Sequence, residues 1–134
     1  MARWDQVIRI SREIEERFNI SAAVRSNGTL YLSGMTAIND AMEVVGPGDM
    51  EAQIRRIYER LQTALAAAGL TLADVVCEVA YTTDIVALGR SAHVRDRCYR
   101  QANAAPPAAT AVEVPRLYFP EAMIELVATA ELKS

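Results

Sequence analysis

The dipeptide Asn27-Gly28 fixes more of this chain than any other pair. Ala22-Ala23-Val24-Arg25 and Thr29-Leu30-Tyr31-Leu32-Ser33 flank Ser26-Asn27-Gly28. Both residues of an Asn-Gly pair tolerate positive φ, which a type I′ hairpin turn demands. The chain must therefore contain a tight antiparallel hairpin, with Leu30 and Leu32 on one face and Thr29, Tyr31 and Ser33 on the other. Next, Gly46-Pro47-Gly48-Asp49 breaks the chain, and Asp49 is placed to cap a helix. Met50, Ile54, Ile57, Tyr58, Leu61, Leu65 and Ala68 then recur at three- and four-residue steps, while Glu51, Arg55, Arg56, Glu59, Arg60 and Gln62 occupy the remaining faces. That pattern predicts an amphipathic helix ended by Gly69 at C′.

Asp74–Thr83 predicts a strand, with Val75, Cys77, Val79 and Tyr81 on one face and Val76, Glu78, Ala80 and Thr82 on the other. A second helix is expected over Val86–Gln101, capped by Asp84, striped by Leu88, Ala92, Arg95, Cys98, Tyr99 and Ala102, and stopped by Ala105-Pro106-Pro107. Strands follow at Ala109–Val114 and Met123–Leu132. Trp4–Ile10 can add a strand and Ser11–Phe18 a short helix. The order predicts an α+β layer structure, one domain over residues 1–134, with two helices covering one face of a sheet. The other face keeps apolar residues such as Val76, Ala80 and Val127 with no helix left to cover them, which points to self-association.

Composition removes several function classes. The net charge of −3 lacks the basic excess that phosphate contact usually requires, so nucleic acid is not expected as a partner. One histidine, His93, excludes any site needing two imidazoles. Cys77 and Cys98 are too few for a disulfide framework. No apolar run approaches a membrane span, and the charges dispersed over Met1–Ile20 do not suit a signal peptide; a soluble cytoplasmic protein is expected. Gly46-Pro47-Gly48 is not followed by Gly-Lys-Ser/Thr, so it is no phosphate loop, and there is no GxSxG elbow or metal-ligand cluster.

Three stretches together resemble one known family. Phe18-Asn19-Ile20-Ser21-Ala22-Ala23-Val24-Arg25, then Tyr31-Leu32-Ser33-Gly34-Met35-Thr36-Ala37, is similar to the opening of Rid (YjgF/translation-initiation-inhibitor-like) proteins. Ala66-Ala67-Ala68-Gly69-Leu70 with Ala73-Asp74-Val75-Val76 resembles the end of their first helix and the next strand. Pro107-Ala108-Ala109-Thr110-Ala111-Val112-Glu113-Val114-Pro115-Arg116-Leu117, followed by Ile124-Glu125-Leu126, is the most specific match. The matches run in order over about residues 18–130. The resemblance implies a chorismate-mutase-like α+β fold and a homotrimer with a central barrel and small-ligand clefts between subunits. It implies hydrolysis of reactive enamines and imines to ketoacids and ammonia, without cofactor or metal. A translation-inhibitor or endoribonuclease reading is also attached to the family.

The resemblance also locates a site and an anomaly. Ser33 and Glu125 match the family's acid/base elements and are the expected catalytic residues. Gly34, Ile20, Ala92, Ala109, Thr110 and Ala111 fall at the ligand-binding positions. Members with imine deaminase activity carry an arginine where Ala109 stands, an aromatic hydroxyl at Ile20, an asparagine at Ala92 and a cysteine at Ala111. A bidentate arginine is the natural partner of a substrate carboxylate, so the standard 2-imino acid is not expected to be well held. The expected function is a small-metabolite cleft at trimer interfaces, hydrolysing or deaminating an altered enamine- or imine-like compound. The alternative is metabolite binding without turnover. Glu113, Arg116, His93, the cysteines and Tyr99 and Tyr118 are expected in structural or surface roles first.

Overall fold

The computed structural model describes residues 6–133. Seven strands form one sheet: β1 (Gln6–Ile8), β2 (Ala23–Ser26), β3 (Thr29–Leu32), β4 (Met35–Thr36), β5 (Val75–Thr82), β6 (Ala108–Glu113) and β7 (Ile124–Glu131). Four helices accompany them among the described residues: α1 (Arg12–Phe18), α2 (Met50–Ala67), α3 (Ile85–Arg90) and α4 (Ala92–Gln101). The strand order is β1-β2-β3-β7-β5-β6, with β4 also pairing β7. Every pairing is antiparallel except β5 with β6. The mixed α+β architecture is the expected one.

Local chemistry sets the elements where it was predicted to. Asn27 and Gly28 have φ of 51° and 78°, the two left-handed residues of a type I′ turn, and β2 and β3 pair across them from Ser26↔Thr29 to Ala23↔Leu32. Asp49 caps α2 by accepting from the Ala52 amide at 3.0 Å, and Gly69 at φ 74° follows its end. Ile54, Ile57, Tyr58, Leu61, Ala64 and Leu65 are buried and pack with Leu30, Leu126 and Ala130 of the sheet. Buried Gln53 lies beside that stripe. Its amide donates to the carbonyls of Gly46 (3.0 Å) and Glu121 (3.1 Å) and accepts from the Met123 amide (2.8 Å), tying two loops to α2.

Two expectations need correction. The helix foreseen over Val86–Gln101 is broken into α3 and α4 at Ser91, whose φ of −101° and ψ of 5° leave the helical region. Asp84 still caps the first half, accepting from the Ala87 amide at 3.0 Å. The faces of β5 are also inverted in part. A register shift between Val75 and Cys77 places Val75 on the same side as Glu78, Ala80 and Thr82, and that side packs against the helices. Ala80 is therefore not on the uncovered face. Cys77, Val79 and Tyr81 are, beside Tyr31, Val112 and Val127, so an apolar strip without a helix does exist. β1 realises Gln6–Ile8 of the strand foreseen at Trp4–Ile10; Trp4 and Asp5 lie outside the described residues. No helix among the described residues is long and apolar enough to cross a membrane.

Candidate functional site

β7 is the pivot of the site. Its alternation turns Ile124 and Leu126 towards the helices and Glu125 to the open face, with Glu125 facing Tyr81 on β5 and Thr36 on β4. The Glu125 carboxylate lies over Gly34. A β-carbon at Gly34 would overlap Oε2 and approach Cδ at 3.1 Å and Cγ at 3.3 Å, so a glycine is needed for this carboxylate to lie where it does. Partial burial alone raises the Glu125 pKa from its ordinary 4.5, because desolvation disfavours the charged form. Ser33 adjoins Gly34, but its hydroxyl donates to the Ser21 carbonyl at 2.6 Å, which leaves the oxygen as an acceptor.

The remaining expected positions fall into two cavities. Ile20, Ser33 and Gly34 line one of about 320 Å³, together with Ile10, Ile14, Arg56 and Arg60. There Arg56 donates to the Ile38 carbonyl at 2.9 Å and Arg60 to the Thr36 carbonyl at 2.6 Å. Burial, and then the charge of Arg56, lowers the Arg60 pKa below the usual guanidinium value. Ala92, Ala109, Thr110 and Ala111 line a second cavity of about 350 Å³, between α3, α4 and the β5–β6 pair. Ile124 and Leu126 line that cavity too, so Glu125 lies on the opposite side of the strand from it. One chain thus brings Glu125, Gly34 and Ser33 together and separates them from Ala92, Ala109 and Ala111.

The second cavity holds residues that sequence reasoning passed over. Glu78 is buried, with 3% of its surface exposed. Its carboxylate accepts from Tyr58 (3.1 Å to Oε1, 2.9 Å to Oε2), from Tyr99 (2.8 Å) and from Nε of Arg95. Arg95 lies 4.8 Å from the Tyr99 ring centroid, and the Tyr58 and Tyr99 rings meet edge to face. Burial, and next the Glu78 carboxylate, push both tyrosine hydroxyls well above their ordinary value, so they stay protonated donors. Burial lowers Arg95, but its bond to Glu78 and then the Glu78 charge outweigh that and leave it raised. The alternation of β5 placed Glu78 on the uncovered face, and it carries no signal of the shift between Val75 and Cys77 that inverts it. Glu113 accepts from the Ile85 amide at 3.0 Å, and exposed His93 contacts Glu51 at 3.1 Å, joining α4 to α2. Arg116 is exposed, and Tyr118 packs edge-on against Phe18 and Phe119. No group of three or more potential metal ligands occurs among the described residues.

Known proteins share this arrangement of elements. Residues 11–132 match the family model described as Endoribonuclease L-PSP. A RutC family protein of Saccharolobus solfataricus is 33% identical over 97 residues, 72% of this chain and 75% of that one. The crystal structure of Rv2704 of Mycobacterium tuberculosis, from the YjgF/YER057c/UK114 family, superimposes with a TM-score of 0.78 at 30% identity, covering 95% of this chain and 98% of that one. The Escherichia coli YjgF product shares the fold with a TM-score of 0.86 at 24% identity, over 96% and 100% of the two chains. A single match of this length settles membership, and the chain belongs to the Rid (YjgF, endoribonuclease L-PSP) family.

Proposed function

We propose that this chain forms a homotrimer and hydrolyses a small enamine- or imine-like compound, without cofactor, in clefts between its copies. The observation that carries the reading is Glu125: a half-buried carboxylate held over a glycine, with its pKa raised by desolvation towards the range of a general acid or base. Water adds to the C=N carbon as Glu125 takes its proton. That proton passes to nitrogen to give a carbinolamine; the carbinolamine hydroxyl then gives up its proton, by way of Glu125, to nitrogen as the C–N bond breaks, and ammonia leaves behind a carbonyl. The separation of Glu125 from the Ala109 cavity supports assembly, because only a second copy can present that cavity to the carboxylate. The apolar strip around Tyr31, Tyr81 and Val112 supports it as well, since large exposed apolar patches commonly mark interaction surfaces.

Ala109 argues against the standard 2-imino acids, whose carboxylate would meet no arginine at that position. The name of the matching family model raises RNA as a substrate. A net charge of −3 disfavours it, as does the pairing of helix arginines with acids at Arg12–Glu16, Arg55–Glu51 and Arg56–Glu59. The test is imine loss measured against semicarbazide trapping, over a panel of N-unsubstituted imines and enamines. Generation of 2-iminopropionate by an amino-acid oxidase supplies the reference. Acceleration of at least one panel member, lost in Glu125→Ala, is expected. No acceleration at high protein concentration would leave binding alone. Acceleration of 2-iminopropionate would refute the argument from Ala109.

A further inference from the structure

We propose that the cavity between α3, α4 and the β5–β6 pair takes an uncharged, largely apolar small molecule whose single hydrogen-bond acceptor is received by Arg95. The proposal rests on the reading above, since Ala92, Ala109 and Ala111 belong to the same cleft, and it names the class of compound the cleft selects. The walls come first. Ile54, Ala80, Leu88, Ala109, Ile124 and Leu126 present aliphatic surface around about 350 Å³, at the small end of ligand pockets. Such walls reward an apolar body, and of the two hydroxyl-bearing residues that line the cavity with them, Tyr58 already donates to Glu78, which leaves Thr110 on the exposed strand β6.

The polar wall decides the charge. Arg95 is the one cation among the described residues lining the cavity, and Glu78 lies there beside it. The pair sums to zero. An anion would gain from Arg95 and lose to Glu78, whereas a neutral acceptor avoids that conflict. A guanidinium carries five N–H groups, and Nε is the one bonded to Glu78. Nη1 lies 3.5 Å from Asp96, and a quarter of the side chain remains exposed. The Tyr99 ring 4.8 Å from the guanidinium carbon and the bond from Nε to Glu78 restrict the guanidinium before a ligand arrives. Buried ion pairs seldom stabilise a fold more than apolar packing would, so a quartet drawn from α2, β5 and α4, with Tyr58, Glu78 and Arg95 at the cavity wall, points to recognition.

The experiment is an amide NMR titration of the full chain with three probes sharing one ring: acetophenone, benzoate and toluene. Acetophenone is expected to shift the amides of Ala92, Ala109 and Ala111 and to bind at least tenfold more tightly than either other probe. In Glu78→Gln the buried carboxylate that offsets Arg95 is gone and only the half-exposed Asp96 is left beside it, so benzoate is expected to overtake acetophenone. Ala111→Leu, which fills the cavity from β6, is expected to abolish the shifts. Benzoate binding as tightly as acetophenone to the natural chain would overturn the proposal, as would shifts with no probe, or an unchanged order in a folded Glu78→Gln. Should Glu78→Gln fail to fold, the order in the natural chain and the Ala111→Leu result decide. A monomer in light scattering, or turnover indifferent to Glu125, sinks the proposed function and leaves the probe order standing. Glu125-dependent turnover with the order reversed sinks this inference alone.

Discussion

Gly34→Ala separates the chemistry of Glu125 from the stability of the fold. The new methyl would overlap Oε2 of Glu125 and press on Cδ at 3.1 Å and Cγ at 3.3 Å. These atoms are the far end of a flexible side chain, so the carboxylate can swing aside. An off-rotamer torsion costs about 0.5–1.5 kcal/mol. Gly34 is not among the residues of positive φ, so alanine accepts its backbone and restricts the unfolded chain, a gain of about 0.4–1 kcal/mol. The two effects nearly cancel, and the stability change is expected to stay within about 1 kcal/mol. The reaction has no such compensation. A displacement on the ångström scale costs about 10²-fold in rate, and complete loss of a general acid–base costs 10²–10⁴-fold, on the order of Glu125→Ala itself. Denaturant unfolding gives the first quantity and imine hydrolysis against semicarbazide the second. A Gly34→Ala/Glu125→Ala double variant should be no slower than Glu125→Ala alone. Full activity in Gly34→Ala would refute the placement of the acting carboxylate over this glycine. A destabilisation of several kcal/mol that Glu125→Ala fails to relieve would refute the steric argument.

Three further outcomes are expected. Burial raises the folded-state pKa of Glu125, so the carboxylate weakens the fold once it ionises. Glu125→Gln should be the more stable protein at neutral pH, with the gap closing as pH falls below the ordinary 4.5, as paired unfolding curves would show. Tyr58→Phe and Tyr99→Phe each remove a donor to the buried Glu78 carboxylate and should each cost about 1.5–3 kcal/mol; additive losses in the double variant would mean the two hydroxyls do not act as one network. Cys77 is exposed on the open sheet face, so a trimer closing that face should protect it from a maleimide, and labelling at the denatured chain's rate would exclude that face as the interface.

Legibility in the sequence followed the range of the interactions. The hairpin was readable because Asn27 and Gly28 themselves satisfy the turn, and α2 because its cap, stripe and terminating glycine are all local, between Asp49 and Gly69. Ser33, Gly34 and Glu125 were found through family likeness; their geometry was not, because the contact of Gly34 with Glu125 spans most of the chain. The Glu78 quartet was missed for a sharper reason. An acidic residue in an alternating strand ordinarily faces water, and here three donors 17 to 21 residues away hold it inside. Glu15 is a parallel case. It reads as one of several surface acids of α1, yet it is buried and accepts from the amides of Ile10, Ser11 and Ala22.

The outer strand β6 has a consequence for handling the protein. It ends the sheet, all six of its residues are exposed, and one side of its backbone is left without a neighbouring strand. Such a rim is a template for adding chains. Pro106-Pro107 and Pro115 bracket it and keep the template short, which favours closed complexes over fibres. If copies of the chain shelter that rim, melting temperature becomes a function of protein concentration. Dilution would then expose the rim first, and a variant could look thermolabile in a dilute assay through nothing more than a weaker hold between its copies.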